Sequence, residues 1–165
     1  MKIIVNDTNI LIDLADLDLL ENLTELNFEL HTNDFVISEI EKPEQLEKIN
    51  KIIKSGKLTV ATTNADEYSD IAKLQTKNLS FEDCSVWYYT KKVNGILLTG
   101  DGNLRKSATI AGLEVRGILF VFDKLVENKI IDNQTAIEKL EILEQKNPRL
   151  PKNEIEKRKK EWAKV

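Results

Sequence analysis

One cysteine, one histidine, three prolines and six glycines are all that 165 residues contain of those types. With Cys84 alone, no internal disulfide can form and a cysteine-based zinc cage lacks its ligands. With His31 alone, the usual serine–histidine–aspartate, histidine–metal and histidine acid/base chemistries lose their parts. The scarcity of proline and glycine excludes collagen-like and low-complexity chains. A long apolar run is missing too. Asp7, Asp13, Asp16 and Asp18 interrupt the opening segment far too soon for a signal-peptide core or for a membrane span of ~20 residues. The expectation is a cytoplasmic protein without a membrane association. Surplus positive charge is absent as well: a net charge of −4 and a pI near 5.2 argue against a dedicated duplex-DNA binder.

What is present suits one ordinary domain, with 41% hydrophobic and 32% charged residues, enough to bury a core. Ile3-Ile4-Val5 reads as a strand that ends in the polar turn Asn6 to Asn9, after which Ile10, Leu11, Leu14 and Leu17 recur at helical spacing. Phe28 to Thr32, Leu58 to Ala61, Ile96 to Thr99 and Leu113 to Val115 are further strand candidates. Helical stretches stand between them. One follows Thr32-Asn33-Asp34 through Val36, Ile37 and Ile40; others are expected over Lys42 to Lys54 and Asn64 to Lys77, and from a Ser80 cap to a stop at Gly95. Alternation of strands and helices predicts a mostly parallel sheet covered on both faces. After Gly117 only helices are expected, over about 118–128, 133–145 and 153–163. The segment after Pro151 holds six cations against three acids, net +3, so residues 1–151 carry −7 of the total −4.

Lacking histidine and cysteine chemistry, an enzyme built from this chain must work with carboxylates. Asp7 and Asp101 each follow a strand candidate directly, and in a parallel sheet such positions converge on one edge, where these folds bind ligands. Asp83 and Glu39 can reach the same cleft. Unneutralised carboxylates repel one another, and a hard divalent cation would relieve them. Each has a structural alternative: Asp7 and Asp101 as helix caps, Asp83 as a first-turn acid, Glu39 as a solvated side chain.

Four local patterns, in order, resemble the PIN-domain nuclease family, including its VapC-type toxins. They are Ile3-Ile4-Val5-Asn6-Asp7-Thr8-Asn9-Ile10-Leu11, His31 to Ile40 around Glu39, Leu79 to Ser85 around Asp83, and Leu97-Leu98-Thr99-Gly100-Asp101-Gly102-Asn103-Leu104. The resemblance implies an α/β class fold: a three-layer α/β/α PIN-like domain with a mostly parallel central sheet and extra C-terminal helices. It places the nuclease domain at 1–125, with a helical extension over 126–165 packed on it. It implies a metal-dependent endoribonuclease cutting single-stranded RNA, the toxin of a toxin–antitoxin pair, with Mg²⁺ or Mn²⁺ held by Asp7, Glu39, Asp83 and Asp101. The alternative is a catalytically inactive PIN-like module that binds RNA or protein. A phosphorylated-aspartate domain is a weaker rival, because no lysine accompanies Thr99-Gly100-Asp101.

Between neighbouring acids, helical geometry separates Glu82 from Asp83 by ~100°, so Asp83 is taken to face the cleft, and Glu39 is preferred to Glu41. Thr8, Asn9, Thr99 and Asn103 are expected to support the ligating carboxylates, Asn103 standing where the family often has a further aspartate. Arg105 and Lys106, close behind Asp101, are the candidate RNA contacts. Trp87, Tyr88 and Tyr89 read as core. Partners expected besides RNA are an antitoxin protein and a second copy of the chain, meeting through apolar helix faces.

Overall fold

Ile4 and Val5 are fully buried in β1 (Lys2–Asn6), the central strand of the sheet. β2 (Phe28–Asn33), β3 (Thr59–Ala61), β4 (Ile96–Leu98) and β5 (Glu114–Arg116) complete it in the order β3-β2-β1-β4-β5, every pair parallel. The computed structural model describes residues 1–164; Val165, the last residue of the extension predicted over 126–165, lies outside them. From β1 the chain winds one way through β2 to β3, then returns to the other side of β1 for β4 and β5. The reversal lies between β1 and β4, where Ile4, Val5 and Asn6 pair with Ile96, Leu97 and Leu98. In open parallel sheets such a switch leaves a crevice at the carboxyl ends of the strands.

The connecting helices are α1 (Thr8–Asp16), α2 (Leu20–Thr24), α3 (Asp34–Ser38), α4 (Pro43–Lys54), α5 (Tyr68–Leu74), α6 (Phe81–Val93) and α7 (Gly102–Ile110). Crossovers between parallel strands are right-handed as a rule, so connections winding in opposite directions from the switch put helices on both faces of the sheet. α6 packs against β1, β2 and β4. Its uncharged stretch does what its composition predicts: Cys84, Val86 and Trp87 are buried, while Tyr88 and Tyr89 pack against the core half-buried. Burial pushes the Cys84 thiol up to about 11, which leaves it unreactive. His31 is likewise structural, its two ring nitrogens contacting the Tyr89 hydroxyl at 2.7 Å and Glu29 at 2.9 Å.

After β5 come α8 (Ile118–Glu127), α9 (Asn133–Lys146) and α10 (Lys152–Ala163). They share the core of the sheet domain: Phe122, Leu125, Leu140, Leu143 and Ile155 are fully buried in one cluster with the strands. Trp162 stacks on Phe122, and Arg158 holds Asp123 through two 2.8 Å bonds. Lys146 pairs with Asp16, tying the end of α9 to α1.

Several expected boundaries move. The helix expected to run through Ile40 ends at Ser38, because Lys42 precedes Pro43 and must be extended, so the chain has to straighten there. The helix expected over Asn64 to Lys77 begins as a 3-10 turn at Ala65–Glu67, held by Asn64 and Glu67 capping each other, and ends at Leu74. Gly95 does not stop α6. Asn94 does, in the left-handed conformation at φ 52°. Gly95 has another duty, since a Cβ there would stand 2.9 Å from the Ile3 carbonyl oxygen. That oxygen belongs to the central strand and cannot move aside. Gly95→Ala is therefore expected to cost about 1–3 kcal/mol by overpacking, read as a lower urea midpoint with an unchanged slope.

Candidate functional site

Asp7 is the first residue after β1 and the N-cap of α1. Its Oδ1 accepts from the Thr8 backbone N–H at 2.9 Å, and its Oδ2 from the Thr99 hydroxyl at 2.6 Å. Its own N–H donates to the Leu98 carbonyl at 2.9 Å, continuing the β1–β4 ladder one residue past the strands. Only 5% of the residue is exposed. Burial pushes its carboxyl up to about 6; the Thr99 and Thr8 hydrogen bonds oppose the rise, and the charges of Asp83 and Glu39 add to it.

Thr99 joins the second acid to the first. While its hydroxyl donates to Asp7, it accepts from the Asp101 N–H at 3.1 Å. Asp101 caps α7, accepting from the Leu104 N–H at 2.8 Å. Thr8 makes the corresponding link to the third acid, its hydroxyl donating to Glu39 Oε1 at 2.7 Å. Glu39 follows α3 at the open side of the cleft; desolvation raises its pKa, Thr8 lowers it, and Glu82 and Asp83 raise it further. Asp83 is the third residue of α6 and forms a capping box with Ser80, two bonds of 3.0 Å.

Asp7 and Asp101 thus stand on one rim, and Asp7, Glu39 and Asp83 are close enough to act on one another electrostatically. Among the described residues, none of the four has a Lys, Arg or His within ion-pair distance, and no three acidic, His or Cys side chains converge as a preformed metal cage. The donor set is all oxygen and short of positive charge, which suits a hard divalent cation. Its geometry is unassembled, with Asp83 and Asp101 each giving an oxygen to a helix cap.

The other expected residues divide. Thr8 and Thr99 are buried and hold acids in place; Asn9 and Asn103 are exposed. Arg105 and Lys106 are exposed too, but only Arg105 lines the cavity of about 710 Å³ that opens beside Thr99 and Asn9. Three further residues bear on the cluster. Glu82 raises Glu39 somewhat more than Asp83 does, while Asp83 acts on both Asp7 and Glu39. Asn6 is fully buried, its Nδ2 donating to the His31 carbonyl at 3.1 Å while its Oδ1 finds no partner among the described residues. Asp13, half-buried on α1 beside the cavity, is pushed up to about 6 by burial, with Lys146 opposing and Asp16 adding. Asn6 was recoverable as the polar neighbour of Asp7, whereas nothing in the spacing of α1 distinguishes Asp13 from an ordinary surface acid.

A carboxyl whose folded pKa lies above its unfolded one binds more protons in the folded state between the two values. Stability therefore falls as pH rises through that window, here from about 4 to about 6 for Asp7. In metal-free protein, Asp7→Asn is expected to be more stable than wild type at pH 7.5, by about 1–3 kcal/mol, with the difference closing by pH 4. Thermal melts in chelator at the two pH values check this; a variant less stable than wild type at pH 7.5 contradicts it.

The family model described as DUF3368, PIN domain, matches residues 3–164, running through α8, α9 and α10 as well as the sheet. No curated protein matches the chain in sequence. Among solved structures, a domain of a functionally unknown protein from Methanocaldococcus jannaschii superposes with a TM-score of 0.51 at 22% identity, over 71% of this chain and 91% of that one. A PilT N-terminus domain protein from Sulfolobus solfataricus gives 0.49 at 14% identity, over 76% and 94% of the two chains. VapBC2 from Rickettsia felis, bound to a DNA fragment from its promoter, gives 0.48 at 20%, over 70% and 98%. The match over 3–164 decides the assignment: the chain belongs to the PIN-domain family, whose members are generally nucleases.

Proposed function

We propose that this protein is a metal-dependent endoribonuclease that cuts single-stranded RNA in the cytoplasm, as the toxin of a toxin–antitoxin pair. One observation carries the reading: a carboxylate buried at the topological switch, Asp7, has acidic neighbours and, among the described residues, no cationic one. Structural caps are normally solvent-exposed or paired, since burying uncompensated charge costs several kcal/mol, on the order estimated for buried ions. Asp7, Glu39, Asp83 and Asp101 are the residues that would hold Mg²⁺ or Mn²⁺. Such an ion, when bound, lowers the pKa of a water and neutralises phosphate charge.

The chain's own part is positioning. Thr99 holds the Asp7 carboxylate in one rotamer and fixes the turn that presents Asp101; Thr8 does the same for Glu39. Clustered as they are, the acids repel other anions from the crevice until positive charge arrives. An antitoxin that inserts a Lys or Arg among them would supply that charge and block the site. A second copy of the chain is the remaining proposed partner.

A second reading, a catalytically inactive PIN-like module binding RNA or protein, is favoured by the caps. Asp83 and Asp101 each spend an oxygen on a helix end, and Asn103 offers only a neutral ligand. Activity separates the two. Purified protein given unstructured RNA, structured RNA or single-stranded DNA is expected to cut only the unstructured RNA, with Mg²⁺ or Mn²⁺ and not in chelator. Asp7→Asn and Asp101→Asn are expected to abolish the cut. Thr99→Val, which removes the shared hydroxyl, is expected to lower it ~10–100-fold. Cleavage that survives chelator, or that survives both aspartate substitutions, rejects the nuclease reading.

A further inference from the structure

The cavity beside Thr99 has one wall that the sheet domain does not supply. Besides the β4–α7 turn and the β5–α8 junction, its lining includes the loop of residues 147–151 that joins α9 to α10. Five cations face it against three acids, a positive surplus inside a chain of net charge −4. Those cations are not equivalent. Arg158 is committed to Asp123 and Glu154, Lys146 to Asp16, and Arg116 to Glu114 at 3.3 Å. Arg105 and Arg149 form no ion pair among the described residues, although acids stand in the same groove.

Arg105 is also seated. Its Nη2 lies over Gly117, where a Cβ would come within 2.5 Å, and reaches toward the Thr99 carbonyl at 3.5 Å. Gly117 has an ordinary extended backbone, at φ −116°, so its missing side chain serves the arginine and not the turn. Phe120, Leu150 and Pro148 line the same cavity as Arg105 and Arg149. Guanidinium groups sharing a groove with apolar and aromatic surface match what a single strand presents: a phosphate at each nucleotide and a base with a π face. The volume of about 710 Å³ lies within the ~300–1,000 Å³ of sites that enclose one small ligand, which suits a short stretch of one strand.

We propose that this groove carries the backbone of a single-stranded nucleic acid to the acidic edge, with Arg105 and Arg149 clasping phosphates. The C-terminal extension then belongs to the substrate-binding surface, a duty its sequence did not reveal. The identity of the polymer rests on the nuclease reading. An acidic peptide would also satisfy the arginines, but its carboxylates end there, whereas a phosphodiester chain continues past Thr99 to the place where that reading puts the cut.

Binding can be read without cleavage, by fluorescence anisotropy of a labelled unstructured RNA 12-mer in chelator and in Ca²⁺ at several salt concentrations. Arg105→Gln and Arg149→Gln are each expected to weaken affinity about tenfold and to reduce the slope of log affinity against log salt by ~0.7. Gly117→Ala, which displaces only the flexible end of Arg105, should fall between wild type and Arg105→Gln. Lys160→Gln, on the exposed side of α10, should stay within about twofold of wild type. Both arginines are exposed, so the melting temperature should hold in each variant. Wild-type affinity and salt slope retained in Arg149→Gln overturn the proposal, as does a wild type that binds no RNA under either condition. A 12-residue glutamate peptide bound more tightly than the RNA, and lost in Arg149→Gln, overturns it in favour of a protein site. Arg149-dependent binding without cleavage in Mg²⁺ or Mn²⁺ rejects the nuclease reading and leaves the groove standing; cleavage with Arg149-independent binding does the reverse.

Discussion

The Thr99 hydroxyl donates to the buried Asp7 carboxylate across 92 residues of chain, and the site around them depends on that bond. It exists because β1 and β4 lie side by side in parallel register at the point where the winding of the sheet reverses. The register places Leu98 opposite Asn6, so the next residues, Asp7 and Thr99, leave the sheet together. Any slip of one residue would turn Thr99 to the other face and leave Asp7 buried without its donor. The same hydroxyl accepts from the Asp101 N–H, so one side chain sets both the rotamer of Asp7 and the turn that carries Asp101.

That arrangement is costly by itself. Asp7 is buried with Glu39 and Asp83 nearby, and hydrogen bonds from Thr8 and Thr99 offset only part of the desolvation, which is why its carboxyl remains raised to about 6. The cost falls on a chain whose core is large and continuous: the strands, α6 and the C-terminal helices share one apolar cluster. Stability drawn from that cluster can support a site whose charges repel, the exchange expected where function requires strain. Over residues 1–151 the net charge is −7, yet the cavity where β5, α8 and the 147–151 loop meet holds five cations against three acids, beside the acidic edge and not within it.

Much of the outline was legible because short β-branched or leucine-rich runs alternate with amphipathic stretches. Five strands were expected and five form, each within a residue or two of its expected span. Asp7 and Asp101 were legible as residues leaving strands, and their shared rim follows from parallel pairing alone. Where the reading failed, local signals competed. Gly95 resembled a helix stop, yet Asn94 takes the left-handed turn and Gly95 is small because the Ile3 carbonyl approaches it. Glu82 and Asp83, adjacent on α6, both raise Glu39, a sharing of charge that helical geometry alone does not show.

The sequence by itself determined the class of fold and which carboxylates leave its strands. With one histidine and one cysteine, acidic groups stand out, and strand-end positions told which ones could meet. Tertiary structure decided what no local pattern encodes: that Thr99 and not another hydroxyl holds Asp7, that Asn6 is buried beside it, and that Arg105 rests over Gly117 in a cavity that Arg149 also lines. The reason is physical. Periodicity and capping act over a few residues and leave their mark in composition, whereas burial, charge compensation and the walls of a groove depend on segments dozens of residues apart, brought together only when the sheet closes.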